Sequence, residues 1–491
     1  MKTYKKFWLQ TVRILFGIVC LISITNLSYG DFLNQEQYIN KVKENNPQIK
    51  DIEYTKASIT KKLQEVYRAY SVYLNADASY SDDHNRSILN PASVFFQDVD
   101  MTAFNLDLSV NKEFNTGTIV TLGYGTQETT SKYPFIGSDY TYGTTAPYIK
   151  LEQSLLKNFK GKLTEASIAK AKASAKSLLY LQIYKEQQLL LNAKKAYWKL
   201  AYARTVNIFR QNSLARTQKT LDWNQRRYNK DLAEKTDLLQ SKAAYKIREL
   251  NLKLAKADEI QASRTFNEFI NISSDKVDFE IENIEKLGEK FKDIKGLERN
   301  DGKRADTLSV ISAADSYVYA QKVASKNIGS DLKITGKYAL NAADSNISDS
   351  FSQLKADKYS SFTIGLNYSL PLDFSVQKSV IEGYDYDIMS SKKQIEQAEL
   401  SESNGWLQLL QDWDDAKTEY LISRDVFEIQ QERNKEEQKL LRTGRSTTYQ
   451  VLESEQDLDD AILSVYQTSM NAIFVYLESE MLYNTKKITL E

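Results

Sequence analysis

The chain is 491 residues long but holds only one cysteine, one histidine and five prolines. Cys20 falls within the first 30 residues, and His84 stands alone in YSDDHNRS, which reads as an exposed loop. Beyond residue 30 these scarcities exclude Cys-His catalysis and thiolate metal sites, and they leave a single imidazole for any metal. Glycine is also sparse, at 17 residues, so little interrupts a long helix. No apolar run after residue 30 approaches the ~18 residues that mark a membrane helix. A membrane span in that part of the chain would have to be a β-barrel. Phosphate-binding loops, nucleophile-base pairs and metal-ligand spacings are absent too, so no enzyme and no cofactor is expected. The carboxylate pairs Asp414-Asp415 and Asp459-Asp460 read as solvated faces.

What is present begins with an export signal. Lys2, Lys5 and Lys6 precede the apolar stretch WLQTVRILFGIVCLISI, and Ser28-Tyr29-Gly30 places small residues at −3 and −1. Cleavage before Asp31 is expected, with Cys20 discarded as part of the signal core. Removing residues 1–30 takes away Lys2, Lys5, Lys6 and Arg13 and no acid. The remainder then carries 61 basic and 65 acidic residues, net −4.

Two kinds of pattern alternate along the rest. Residues 163–228 contain no proline or glycine and are dense in helix formers. At ~1.5 Å per residue a continuous helix there would span about 100 Å. Further helical runs are expected at 236–271, 380–441 and 448–486, which makes two long antiparallel hairpins with apolar positions at i, i+3, i+4 and i+7. Between them, VYLNADASYS, FNLDLSVNKEF, TIVTLGYGTQ, APYIKLEQSLL, SDLKITGKYALN and SSFTIGLNYSLPLD alternate polar and apolar residues. That period of two, together with polar loops expected at 83–100, 127–145 and 342–358, matches transmembrane barrel strands, the alternative being a soluble sandwich. The 31 tyrosines suit both a membrane-water boundary and β-sheet.

The two halves correspond. RYNKDLAEKTDLLQS at 227–241 aligns with LRTGRSTTYQVLES at 441–454 at an offset of 213, pairing Ser241 with Ser454. Trp198 pairs with Trp413, Ser154 in QSLL with Pro371 in SLPL, and Tyr80 with Tyr338. The larger offset at Tyr80 assigns the first half an extra hairpin at about 102–126. The expected organisation is a signal at 1–30, repeat 1 at 31–273, a charged connection at 274–308, and repeat 2 at 309–491. The bends of the helical hairpins fall near 229–233 and 443–446.

In this order the signal, an early Asn45-Asn46-Pro47, the strand pairs, QSLL or SLPL and the helical hairpins resemble the TolC-like outer membrane factors over essentially the whole mature chain. The resemblance implies an α+β membrane protein. Its fold would be a homotrimer sharing one transmembrane β-barrel, with four to six strands per protomer, continued by an α-helical periplasmic barrel; the extra hairpin would either add two barrel strands or stand outside the membrane. The function implied is an exit duct of a tripartite efflux pump or type I secretion system. It would sit in outer membrane lipid and work with a periplasmic adaptor and an inner-membrane pump or ABC exporter, with no nucleic acid partner. The competing reading is a periplasmic coiled-coil adaptor or a structural protein without a barrel.

The residues after Gly444 raise the question of a site. Polar residues recur as Ser446, Gln450, Glu453, Asp457, Asp460 and Ser464, beside an apolar face of Val451, Leu458, Ile462 and Val465. By the resemblance, this helix lines the entrance constriction with Gln450, Glu453 and Asp457, the amide of Gln450 standing where the family often has an acid. Gate contacts between hairpins fall on Thr236, Asp237, Leu441 and Ser446, with Arg442 and Arg445 beside them. Leu441 and Ser446 stand where family members can carry a tyrosine and an arginine. The adaptor-docking bends would be Lys230, Asp231, Leu232 and Ala233, and Thr443, Gly444, Arg445 and Ser446. Asp231 aligns with Gly444, where the family usually has a glycine in the first bend as well; an aspartate can also take the left-handed conformation, at some cost.

Overall fold

The computed structural model describes residues 32–90, 95–133, 137–284, 296–299, 302–354 and 359–483. The signal at 1–30, the cleavage point before Asp31 and the tail after Tyr483 lie outside these residues. Strand β1 (Phe32–Leu33) leads into helices α1 (Gln35–Asn45) and α2 (Pro47–Lys62), then a 3-10 turn at Leu63–Tyr70. Four strands follow, β2 (Val72–Asn90), β3 (Phe95–Glu113), β4 (Thr118–Tyr133) and β5 (Ser138–Ser154), and then the hairpin of α3 (Lys162–Tyr228) and α4 (Lys235–Phe269). After β6 (Glu280–Ile281) come α5 (Ala305–Asn327), β7 (Asp331–Leu340), β8 (Ala342–Asp344), α6 (Ile347–Gln353) and β9 (Ser360–Ser369). The second hairpin, α7 (Phe374–Arg442) and α8 (Thr448–Leu482), closes the chain.

Contacts divide the chain into two compact units. The first holds residues 1–53, 184–302 and 404–486. Its core is a cluster of aromatic rings anchored by their polar ends. Tyr38 stacks on Phe266 at 4.1 Å, and Tyr197 meets Trp198 edge-on at 5.3 Å. The Tyr38 hydroxyl donates to the Phe266 carbonyl (2.9 Å), the Tyr197 hydroxyl to that of Leu33 (2.8 Å), and Trp198 Nε1 to Gln35 Oε1 (2.6 Å). Each ring thus buries a large apolar area while its one polar atom stays paired. Trp198 and Trp413, matched in the alignment of the halves, are both buried here. Between Asn45 and Pro47 the helix breaks. Asn46 is extended, its Oδ1 accepts the amide of Gln48 (2.9 Å) to cap α2, and its Nδ2 donates to the Phe269 carbonyl (2.9 Å). Pro47 then occupies the first helical position, where its missing N–H costs nothing. Within the connection expected at 274–308, β6 pairs in parallel with β1, and α5 already begins at Ala305.

The second unit, residues 54–183, 303–403 and 487–491, contains one antiparallel sheet in the order β2-β3-β4-β5-β7-β9, with β8 beside β5. The 102–126 hairpin lies inside this sheet, with β3 and β4 hydrogen-bonded between β2 and β5. Three expected loops need correction. Residues 83–90 and 95–100 continue β2 and β3, residues 127–133 and 138–145 continue β4 and β5, and 342–354 hold β8 and α6. Polar runs such as Asp83–Arg86 and Gln127–Lys132 carry no apolar face, so composition concealed these parts of the strands. His84 is accordingly a strand residue, exposed, with Nδ1 at 2.6 Å from Asp100 Oδ1 on β3.

The register gives the sheet two unlike faces. Tyr80 with Phe104, Leu74 with Val110 and Leu122, Leu122 with Ile149, Ile149 with Tyr338 and Tyr338 with Phe362 stand opposite one another. On this face Leu74, Phe104, Leu122, Leu151, Ile364 and Leu366 are all exposed. The other face carries Asn75, Asp77, Asp107, Gln127, Lys150, Lys333, Lys337 and Asn367. There Gly123 leaves room for Tyr148: a Cβ at Gly123 would fall 2.2 Å from the Tyr148 ring. The ring lies beneath Lys337 Nζ, 4.1 Å from its centre, and its hydroxyl donates to Asp107 Oδ1 (3.1 Å).

The double use of Asn46 yields a stability prediction. Asn46→Ala removes one cap and one buried tie to α4. It should cost about 1–2 kcal/mol, read as a lower melting temperature of the helical signal by circular dichroism.

Candidate entrance and docking bends

Both bends end their first helix in the same way. At the first, Leu232 N donates to Arg227 O (2.9 Å) and Asp231 N to Tyr228 O (3.0 Å), with Asp231 at φ 55. At the second, Arg445 N donates to Leu440 O (2.8 Å) and Gly444 N to Leu441 O (3.1 Å), with Gly444 at φ 73. These are two Schellman caps with their left-handed residues 213 positions apart. Asp231 therefore takes the conformation that the alignment with Gly444 demands. Lys230, Asp231, Leu232, Thr443, Gly444 and Arg445 are exposed, and Ala233 and Ser446 are half-buried.

The polar positions of α8 do not all stand free. Gln450 belongs to a capping box: its amide donates to Thr447 Oγ1 (3.2 Å), and its Oε1 accepts from Thr447 N (3.0 Å) and from Ser446 Oγ (3.1 Å). Ser446 Oγ also donates to Glu437 Oε2 (2.6 Å). Glu453 and Asp457 share one cation on α7: Arg433 lies 2.5 Å from Asp457 Oδ2 and 3.9 Å from Glu453 Oε2. All three are partly exposed, so the seam looks outward carrying two acids and one base.

Among the described residues, no side-chain hydrogen bond or ion pair joins Thr236 or Asp237 to Leu441, Arg442, Arg445 or Ser446. Thr236 and Arg442 are exposed, Asp237 is half-buried with its carbonyl accepting from Ser241 Oγ (3.0 Å), and neither Arg442 nor Arg445 forms an ion pair among the described residues. Leu441 and Arg442 instead line a cleft of about 340 Å³ with Arg216, Trp223 and Glu455. Polar ties join the helices deeper in. Asn224 Nδ2 donates to Ser241 Oγ (2.5 Å) and Asn434 Nδ2 to Ser454 Oγ (2.9 Å), one buried pair in each hairpin. Thr448 Oγ1 donates to Asn224 Oδ1 (3.3 Å), linking the two hairpins.

The main link between them is Asp459. The expectation of a solvated face fails here, because Asp459 is 1% exposed. Its Oδ1 meets Arg216 Nη2 at 2.9 Å and its Oδ2 meets Arg248 Nε at 3.2 Å, while Ser213 Oγ donates to Oδ2. Arg248, itself buried, also donates to Gln456 Oε1. A signal for this existed in α4. Ser241, Arg248, Ala255 and Ala262 recur at intervals of seven and are all buried, so an arginine on a seam of small residues required an acid from a facing helix. Nearby, burial pushes the Glu455 carboxyl upward and Asp459 adds to this, against the pull of Arg216 and Arg248.

No family model matches the sequence and no curated protein matches it. Solved structures do. The open state of the MtrE outer membrane channel of Neisseria gonorrhoeae superposes with a TM-score of 0.62 at 12% identity, over 91% of this chain and 88% of that one. The CmeC outer membrane channel of Campylobacter jejuni gives 0.58 at 12% identity, over 91% and 84%. The outer membrane protein VceC of Vibrio cholerae gives 0.59 at 12% identity, over 91% and 96%. The chain has the outer membrane channel fold. Within that fold, the bends, the α8 seam and the Asp459 cluster lie together in the first unit.

Two predictions follow from the cluster. Asp459→Ala strands a buried arginine and should cost about 3–5 kcal/mol, whereas Arg216→Ala, whose side chain is 45% exposed, should cost about 1 kcal/mol or less. Chemical denaturation of the two variants checks that order. For Glu455 the folded state raises the carboxyl pKa, so its ionisation opposes folding. Stability is complete below the unfolded value of about 4.3 and is lost as pH rises through the higher folded one. Glu455→Gln should therefore melt above the parent at pH 7–8 and level with it near pH 4.

Proposed function

We propose that the chain is an outer membrane exit duct, a homotrimer that passively conducts substrates outward and draws its energy from an inner-membrane pump or exporter through a periplasmic adaptor. The observation that carries this reading is the two-faced sheet. A largely exposed apolar face backs a polar one across six strands, and among the described residues both end strands, β2 and β9, have a strand partner on one side only. In water such a face and such edges are costly; in a closed barrel the apolar face meets lipid and the edges pair with neighbouring copies. Strands β7 and β9 have 10 residues each, and a transmembrane strand takes about 9–11; β2 to β5, with 16 to 19 residues, are long enough to span and extend beyond the membrane. The likeness to the channels of Campylobacter jejuni and Neisseria gonorrhoeae supports the same reading.

In this duct the α8 seam lines the entrance. Glu453 and Asp457 supply acidic rings and Arg433 offsets them, while Gln450 serves to start the helix. The bends, with their two matched Schellman caps, present Lys230, Asp231, Leu232, Ala233, Thr443 and Gly444 to the adaptor. Asp459 ties the two hairpins within one protomer, and Thr236, Asp237, Leu441, Arg442, Arg445 and Ser446 are the gate contacts between neighbouring hairpins.

Reconstitution in planar bilayers tests both levels. The purified protein should behave as a trimer and form conducting pores, and a monomer that forms none overturns the duct. Glu453→Ala should lower cation preference and Arg433→Gln should raise it, because like charges in a narrow mouth select their counter-ions. Unchanged selectivity in both would place the constriction elsewhere.

A further inference from the structure

The 342–358 segment contributes more than a connection. Helix α6 lies against the apolar face of the sheet. Gly143 makes room for it, since a Cβ there would sit 2.3 Å from the backbone nitrogen of Ile347. Thr145 and Ser350 hydroxyls lie 2.8 Å apart, Ser350 Oγ donates to the Ile347 carbonyl (2.7 Å), and Thr126 Oγ1 donates to the Thr144 carbonyl (2.9 Å). Ser350 is 0% and Thr145 1% exposed, so this hydroxyl chain is sealed. Thr145 and Thr126 share a face with Ile149 and Leu122 by strand alternation, and without α6 they would present hydroxyls on that otherwise apolar face. What α6 turns outward is different. Phe351 packs edge-on against Tyr124 at 6.3 Å and remains 56% exposed, while Asp349, held by Asn346, is exposed.

We propose that α6 is a membrane-interface anchor, with Phe351 seated at the boundary between acyl chains and headgroups of the outer leaflet. The proposal rests on the membrane reading of the sheet. Lipid is the occupant for two reasons. The Phe351 surface continues the apolar face through Tyr124 and Leu122. In addition, β4 and β5 are interior strands, so copies joined along β2 and β9 leave this face uncovered. Capping buried hydroxyls with a short helix that shows one aromatic residue turns a polar break in the band into an interfacial contact.

Spin labelling tests the anchor in the full-length protein reconstituted in phosphatidylethanolamine–phosphatidylglycerol vesicles. In a Cys20→Ser background, nitroxides are placed singly by Phe351→Cys, Leu122→Cys and Asp349→Cys. Collision with dissolved oxygen reports lipid, and collision with a water-soluble nickel chelate reports solvent. Labels at 351 and 122 should favour oxygen several-fold, and the label at 349 should favour nickel. Nickel access at 351 with oxygen access at 122 overturns the anchor and leaves the membrane sheet standing. Access of neither reagent at 351 means that protein covers the helix, and it also overturns the proposal. Nickel access at 122 removes the membrane reading itself and the anchor with it.

Discussion

Backbone hydrogen bonding at the ends of the sheet is the constraint on which the rest depends. Six strands satisfy one another internally, but among the described residues β2 and β9 each leave a row of amides and carbonyls without strand partners. A soluble sheet would protect such edges with charge, proline or a bulge. Here β9 carries Phe362, Ile364, Leu366 and Tyr368 beside its open edge, all exposed. The same strand therefore needs both another strand and an apolar medium. The proposed trimer in lipid meets the two needs together, which is why the apolar face and the open edges are best explained as one feature.

The helical unit solves a different problem, that of holding long hairpins together without a wide apolar core. Many of its buried positions are small or polar: Ser213, Thr217, Asn224, Ser241, Ser454 and Ser469 among them. Small residues let helices approach closely, and buried hydroxyls and amides then pair across the gap. A buried carboxylate is a heavier commitment. Asp459 loses its hydration and regains it only through Arg216, Arg248 and Ser213 in fixed geometry, so it favours one registration of the hairpins over others. The beginning of α8 is tied down as well, by the Thr447–Gln450 capping box. A helix starting so firmly can place Glu453 and Asp457 at defined heights.

Much of this was legible in the sequence because periodicity and breakers are local. The four long helices, the six strands and both bends follow from the absence of proline, the alternation of side chains and the Asp231–Gly444 correspondence. What escaped notice depended on pairing across distance. Asp459 beside Asp460 looks solvated until Arg216 and Arg248 approach from other helices. Glu453 and Asp457 look like bare acids until Arg433, 20 or more residues earlier, folds back on them. Residues 83–86 look like a loop because Asp83, His84, Asn85 and Arg86 put polar residues on both faces. Alternation marks a strand only where its two sides meet different media, so the ends that leave the apolar band lose the signal.

The extra hairpin shows how such a sheet can grow without losing its ability to close. Inserting β3 and β4 between β2 and β5 adds two strands, so every neighbour along the path remains antiparallel. The end strands β2 and β9 consequently still run in opposite directions, as antiparallel pairing between copies around an axis requires. A single added strand would reverse one end and force parallel joints. The insertion also respects the faces. Register is unbroken from β3 to β5, so Leu108, Tyr124 and Pro147 line up on the apolar side and Asp107, Gly125 and Ala146 on the other. In the proposed barrel, a hairpin is thus the smallest unit by which the sheet can widen while keeping both its closure and the separation of its two surfaces.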